Sequence, residues 1–487
     1  MKSNSTLGDG ADTLRQQIRA GVILLTLAKH APVFAVLYLP PALWGMAEGE
    51  WTLALSLLGP VLIAICTYAA VARRDLPKDL RAAEAMASVA LVFLIAAIGS
   101  VPAFLTLGFT PVSALFEGMS GLTTTGLSVA QDPDSWPFAA HFMRAWLQWI
   151  GGLVMATAVL ALILPAGMST RRLGQAGIDQ GDRIASTRAK ARQLLVVYVG
   201  LTALMTGLTI LATPDWREAV ALTLSGISTG GFAPRSDSLA SYGPVGQAMV
   251  ILSCVLGAVS LLTFALILKG DWRGAWRIGS ARRVGTAIAL LGFAFMLAYA
   301  LSPDARAAND AYGSFLNFVS ALTTAGYSTS AMPGGALLVV VLLAMLIGGD
   351  AGSTGGGLKL ARAGLLFRAF RHAFRAPAMP DRAVAPLRMD GEKVSDQTII
   401  GVLALIFVYV TAMLALLVHF TLHGYPVAQS LFDTVSALST VGLSSGLVGA
   451  DLPWDLKVSL TLAMWLGRLE FIAVLVLLWP RNWIRGH

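Results

Sequence analysis

Residues 435–444 read VSALSTVGLS, and the same ten-residue figure occurs three more times, as MSGLTTTGLS at 119–128, LSGISTGGFA at 224–233 and VSALTTAGYS at 319–328. Each copy runs Ser, two small or apolar residues, Ser or Thr, then Thr-x-Gly and Leu, Phe or Tyr. The shared serines are Ser120, Ser225, Ser320 and Ser436, the shared threonines Thr124, Thr229, Thr324 and Thr440, and the shared glycines Gly126, Gly231, Gly326 and Gly442. The glycines are 105, 95 and 116 residues apart. A figure recurring at domain-scale spacing marks an internally repeated fold. Ser/Thr/Gly tracts also serve as helix-packing surfaces in membranes. Packing alone gives no reason for one ten-residue pattern at four equivalent places.

The chain around the copies is apolar. Hydrophobic residues make up 56%, charged residues 13%, and the mean hydropathy is +0.70, against a charged fraction of about 25% in soluble domains. Ten runs are long enough to cross about 30 Å of hydrocarbon: 21–46, 52–72, 84–106, 137–165, 193–212, 244–268, 284–302, 335–357, 397–422 and 456–479. Each copy of the figure falls between two of them. The expected fold is therefore an all-α polytopic membrane protein of ten spans. A two-helix region at 1–80 precedes four units at 81–170, 171–270, 271–375 and 376–487. Each unit reads helix, pore half-helix, filter loop, helix, arranged around a central pore.

An even number of spans puts both termini on one side. The segments on that side hold 28 of the 35 Lys and Arg, while the opposite loops show Glu48, Glu50, Asp132, Asp134, Asp215, Asp304 and Asp451. Positive charge collects on the cytoplasmic side, so both termini are expected there, in a cell's cytoplasmic membrane. The net charge of +8 then reflects topology and lipid contact, and no nucleic-acid partner is required. Cys66 and Cys254 lie in separate apolar runs and suggest neither a disulfide nor a metal cluster. The polar first twenty residues, followed by an apolar run containing Lys29 and His30, argue against a cleaved signal peptide.

Backbone polar groups at membrane depth must be satisfied internally or line a water-filled path. An extended Thr-x-Gly strand on an axis presents its carbonyl oxygens, and glycine supplies the dihedrals this needs. Four strands build oxygen rings that replace a cation's hydration shell, and the half-helices aim negative C-terminal ends at the same place. The expected filter residues are Thr124, Thr125 and Gly126; Thr229, Gly230 and Gly231; Thr324, Ala325 and Gly326; and Thr440, Val441 and Gly442. Compared with the TVGYG loop of potassium channels the second glycine is absent. A shorter filter with weaker discrimination against sodium is expected.

Four non-identical filter loops in one chain resemble the Trk/Ktr/HKT superfamily of potassium transporters, and the ten-span layout is similar to its bacterial TrkH branch over nearly the whole length. RAWLQWIGGL at 144–153, GGDAGSTGGGLK at 348–359 and GRLE at 467–470 are similar to motifs of that branch. The resemblance implies a homodimeric potassium-uptake protein of the bacterial inner membrane. It also implies a cytoplasmic, nucleotide-binding regulatory partner of the TrkA type, and potassium as the transported ligand, held at the filter loops; no cofactor-binding motif lies in this chain, and any nucleotide would belong to the partner. Four filter glycines go with preference for potassium in the family, and substituted first glycines with sodium permeation.

Six glycines fall within 348–357, enough to break any helix. A phosphate loop is excluded because Leu358 separates Gly357 from Lys359, where the pattern demands adjacency and then Ser or Thr. Broken helices in a membrane are tolerated where they line a cavity, and the family's intramembrane gating loop falls at the equivalent place. Gly348, Gly349, Asp350, Gly352, Ser353, Thr354, Gly355, Gly356 and Gly357 are thus expected to form the gate. Asp350 stands where the resembling proteins more often carry a small uncharged residue. Its expected partner is Arg468, read as a positive barrier below the filter, with Glu470 as an alternative, structural partner for that arginine. The eight basic residues between 359 and 393 follow the gate directly and are the expected docking place for a regulator.

A carrier coupling a cation to protons or sodium by alternating access also uses broken helices and buried charge, but is usually built of two inverted halves. An enzyme would require a clustered site, and none is expected. The histidines at 30, 141, 372, 419, 423 and 487 are scattered, and His419 and His423, one turn apart, have no carboxylate near them in sequence.

Overall fold

The computed structural model describes residues 17–75, 80–158, 180–308, 310–330, 334–375, 387–389 and 392–483. The polar start to residue 16, the far end of the 137–165 span, much of the basic segments at 171–192 and 376–386, and the tail from 484 lie outside these residues. The regular structure of these residues is helical except for two antiparallel two-residue strands, β1 (Arg388–Met389) and β2 (Glu392–Lys393), paired Arg388 to Lys393.

The helices are, in order, α1 (Ala20–His30), α2 (Val33–Glu48), α3 (Trp51–Val71), α4 (Ala82–Thr106), α5 (Pro111–Leu122), α6 (Phe138–Ala158) and α7 (Gln180–Ala212). They continue as α8 (Trp216–Ile227), α9 (Pro244–Ala258), α10 (Leu261–Leu268), α11 (Trp272–Ile278), α12 (Ser280–Leu301), α13 (Pro303–Ala308) and α14 (Ala311–Thr323). The last are α15 (Gly335–Ile347), α16 (Leu360–Arg375), α17 (Asp396–Leu422), α18 (Val427–Leu438), α19 (Trp454–Arg468) and α20 (Ile472–Leu478).

Among the described residues, six segments are long and apolar enough to cross a membrane: Ala20–Glu48, α3, α4, the Ala189–Ala212 part of α7, α12 and α17. Two more form if bent pairs are each taken as one span, α9 with α10 at 90° and α19 with α20 at 118°. The remaining two expected spans fall on α6, whose apolar run is interrupted by His141, Arg144 and Gln148, and on α15, which stops after 13 residues at Gly348. The outer helices turn apolar side chains outward. On α17, Ile400, Phe407 and Leu422 are 64%, 72% and 79% exposed, which suits hydrocarbon and would aggregate in water.

Four short helices, α5, α8, α14 and α18, have 12, 12, 13 and 12 residues, about 18–20 Å at 1.5 Å per residue and too short to span. Three start on a side-chain cap that absorbs a free amide: Thr110 accepts from Ser113, Asp215 from Arg217 and Asp310 from Gly313. Their packing is cyclic. Helix α5 lies against α4, α6 and α19; α8 against α7, α9 and α6; α14 against α12, α15 and α9; α18 against α17, α19 and α15. Each short helix thus touches its two flanking helices and one belonging to the preceding unit.

Candidate ion-conduction site

Each short helix runs directly into its Thr-x-Gly loop, and one bond makes the junction in all four. The amide of the middle residue donates to the carbonyl of the shared serine: Thr125 to Ser120 at 2.9 Å, Gly230 to Ser225 at 2.7 Å, Ala325 to Ser320 at 2.9 Å and Val441 to Ser436 at 2.8 Å. The threonine before it sits at positive φ, 52° at Thr124, 55° at Thr229, 58° at Thr324 and 49° at Thr440. For a β-branched residue this is an outlier costing roughly 1–3 kcal/mol. The same strain at four equivalent points is a built feature. The glycines that follow also have positive φ, from 75° at Gly326 to 95° at Gly442.

These glycines are required by contact as well as by φ. A side-chain carbon on Gly126 would stand 2.1 Å from the carbonyl oxygen of Gly230, and one on Gly231 would stand 2.0 Å from that of Ala325. On Gly326 it would stand 2.2 Å from that of Val441, and on Gly442 2.0 Å from that of Thr125. The four loops therefore close head to tail into a ring, with the backbone oxygens of Thr125, Gly230, Ala325 and Val441 at its four joints. Gln148 braces one joint. Its Oε1 accepts the amide of Phe232 at 3.1 Å, which orients Nε2 to donate to the Gly230 carbonyl at 2.6 Å.

Beyond the ring, a polar residue three positions before the shared serine clamps the returning chain in three units. Glu117 accepts from Ser128 at 2.9 Å and the amide of Val129 at 3.1 Å; Asn317 accepts the amide of Thr329 at 2.7 Å; Asp433 accepts that of Ser445 at 2.7 Å. Glu117 is fully buried and paired with Arg144 at 3.0 Å. In the second unit the position is Leu222, whose carbonyl accepts the Tyr327 hydroxyl at 2.9 Å. None of these residues is among the sequence-derived candidates. The available signal was a polar side chain at one fixed offset in three of four copies.

The glycine-rich segment after α15 lies against the ring's threonines. The amide of Gly356 donates to Thr324 Oγ1 at 2.6 Å, that of Gly357 to the Ser439 carbonyl at 3.0 Å, and Thr354 Oγ1 to the carbonyls of Ile227 and Gly257 at 3.0 and 2.9 Å. Thr229 Oγ1 lies 3.5 Å from Thr354 Oγ1. Gly348 and Gly352 have positive φ, 69° and 75°, and the amide of Asp350 donates to the Ala258 carbonyl at 3.0 Å. Ser353 turns back on Asp350 through its hydroxyl at 2.6 Å, and Gly349 and Gly355 pack face to face. Lys359 Nζ donates to the Gly355 carbonyl and closes the segment on itself. All nine candidate gate residues are thus brought together beneath three of the four loops.

The charges are partnered differently from the expectation. Asp350 is fully buried and pairs with Arg283 at the start of α12, Nε to Oδ1 at 3.1 Å and Nη2 to Oδ2 at 2.8 Å, not with Arg468. Nor does Arg468 pair with Glu470, which is held by Arg362. Arg468 ends α19 just before a break where Glu470 and Phe471 adopt positive φ, and its guanidinium donates to the Thr354 carbonyl at 2.7 Å and the Gly151 carbonyl at 3.4 Å. A carboxylate does stand near the two histidines: Asp455 of α19 lies 3.0 Å from His419 Nε2 and 2.7 Å from His423 Nε2. The expectation that nothing completes that pair is corrected, because α19 folds back along α17.

The profile of the TrkH family, described as cation transport protein, matches residues 62–276 and 296–483. An uncharacterized cation transporter of Methanocaldococcus jannaschii is 28% identical over 459 residues, 93% of this chain and 94% of that one. The Trk system potassium uptake protein TrkH of Halomonas elongata is 28% identical over 490 residues, 95% of this chain and 99% of that one. The crystal structure of the potassium transporter TrkH from Vibrio parahaemolyticus has a TM-score of 0.82 at 23% identity, covering 95% of this chain and 99% of that one, and shares its fold. This chain belongs to the TrkH family of cation transport proteins, in the Trk/Ktr/HKT superfamily, and is a membrane transporter and not an enzyme.

Proposed function

We propose that the chain carries potassium into the cell through the ring of Thr-x-Gly loops, which acts as its selectivity filter. The carrying observation is the head-to-tail closure of the four loops, with each glycine seated on the carbonyl oxygen of the next loop. Backbone oxygens gathered at four joints suit a dehydrated monovalent cation, and relatives along nearly the full length are potassium uptake proteins by name. Ten spans in four units around this axis, with both termini in the cytoplasm of a bacterium's inner membrane, complete the reading. The membrane potential then supplies about 2.3 kcal/mol per charge per 100 mV inward.

Residues 348–357 serve as the gate, since they sit on the threonines of the loops and lead directly into the basic segment that begins at Lys359. Arg468 sets a positive barrier below the filter, tied to the gate through the Thr354 carbonyl. The functional form is a homodimer whose TrkA-type, nucleotide-binding regulatory subunit pulls on α16 and the residues after it. Lipid covers the outer helices, and the chain itself needs no cofactor.

The test is growth at low potassium of a bacterium lacking its own uptake systems, with wild type beside Gly442→Ser, followed by rubidium and sodium flux in vesicles with a matched regulator. Wild type is expected to rescue. Gly442→Ser is expected to raise the sodium-to-rubidium flux ratio about tenfold, a loss of about 1.4 kcal/mol in discrimination. Unchanged selectivity in the variant would sink the filter and favour a proton- or sodium-coupled carrier working by alternating access.

A further inference from the structure

We propose that His419, His423 and Asp455 form a binding site for a divalent transition-metal ion of the zinc class, at the end of α17 remote from the basic 359–393 segment. His419 and His423 are one helical turn apart and share a face of α17. Asp455 comes from the first turn of α19, and one of its oxygens, Oδ2, is approached by both Nε2 atoms. The three donor atoms lie within 4.8 Å of one another. Each side chain is about one-third exposed, at 30%, 32% and 32%, so an ion and a water have access.

The donor set decides what belongs there. Ser459 Oγ lies 3.0 Å from the Asp455 carbonyl and 2.9 Å from His419 Nδ1. When Ser459 accepts from Nδ1, a neutral His419 turns its Nε2 lone pair toward the carboxylate oxygen, the arrangement in which a metal ion between them is bound by both. A single divalent ion satisfies all three donors. Two imidazole nitrogens and a carboxylate oxygen, with a fourth position open, are a donor set zinc accepts. Ser459 is then the outer partner that fixes the ligand's tautomer. Tetrahedral bonds of about 2.0–2.2 Å hold donors about 3.4 Å apart, wider than the 3.0 and 2.7 Å contacts to Asp455, so the partly exposed side chains must shift to admit the ion.

The site lies outside the loop ring and the glycine-rich segment, and its occupancy would clamp α17 to α19, the two helices flanking α18. The test is calorimetric titration of the purified full chain, without a histidine tag and stripped with chelator, with zinc chloride alone. The expected result is one saturable equivalent per chain, lost in Asp455→Asn and in His423→Ala. Ser459→Ala is expected to weaken affinity about tenfold, as outer partners do. His423→Gln preserves side-chain bulk and replaces His423→Ala if the latter does not fold. Cobalt(II) supplied in place of zinc is expected to give the visible bands of four-coordinate nitrogen and oxygen ligation in wild type only. Absence of a saturable equivalent in wild type, or one that survives both Asp455→Asn and the His423 substitution, overturns the proposal.

Discussion

Asp350 takes two parallel hydrogen bonds from Arg283 in a place where its carboxylate has no exposure, and Arg283 itself is only 20% exposed. Breaking such a pair by removing one partner strands a charge and costs about 3–5 kcal/mol, whereas removing both can be nearly neutral. Arg283→Gln and Asp350→Asn are each expected to lower the unfolding temperature in detergent. The double variant should recover most of the loss. Additive losses would mean that the pair carries no coupling. Arg468 acts differently, because its guanidinium donates to the backbone carbonyls of Thr354 and Gly151. Arg468→Ala is expected to raise ungated rubidium flux severalfold in vesicles, and an unchanged flux would remove its barrier role. The sequence marked Asp350 and Arg468 as charges at membrane depth, but pairing them was wrong. Arg283 and Arg468 are both far along the chain from Asp350, and nothing in residue order ranks their distances in space.

The second helix of a unit meets the end of a short helix through a glycine. A side-chain carbon on Gly151 would lie 1.9 Å from the Leu122 carbonyl, on Gly257 2.4 Å from that of Ile227, and on Gly467 2.0 Å from that of Leu438. The three carbonyls fall at one position, two residues after the shared serine. Gly151→Ala is expected to push α6 off α5 and cost about 1–3 kcal/mol, the usual range for overpacking. Gly207→Ala on α7, where no atom lies within 4 Å, is the control and should be neutral or stabilising, since alanine is the better helix former by about 1 kcal/mol. Thermal unfolding of both in one detergent decides it, and equal losses would refute the contact argument. The loops were legible because their pattern repeats in ten residues. The supporting glycines were not, since one glycine in a membrane helix looks like another until its neighbour is known.

At the scale of the molecule, the arrangement of charge predicts sidedness. Asp451 and Arg371 are both exposed and are expected on opposite faces of the membrane. In a Cys66→Ser background, with Cys254 buried, Asp451→Cys should react with an impermeant maleimide on intact cells. Arg371→Cys should react only after permeabilisation. Labelling of both in intact cells would reverse or abolish the assigned topology.

Composition, hydropathy and the recurrence of one short figure are properties of residue order. They determined by themselves that the chain is a helical membrane protein, that it carries four related loops, and which threonines and glycines those loops share. Only the tertiary structure decided that the loops join head to tail, that Asp350 meets Arg283, that Gln148 braces a single joint, and that Asp455 completes the His419 and His423 pair. The physical reason is the same in each case. A period along the chain says which face a side chain occupies on its own helix, whereas a contact between helices depends on how closely packed backbones approach, which here is set by glycines and short capped helices spread over hundreds of residues.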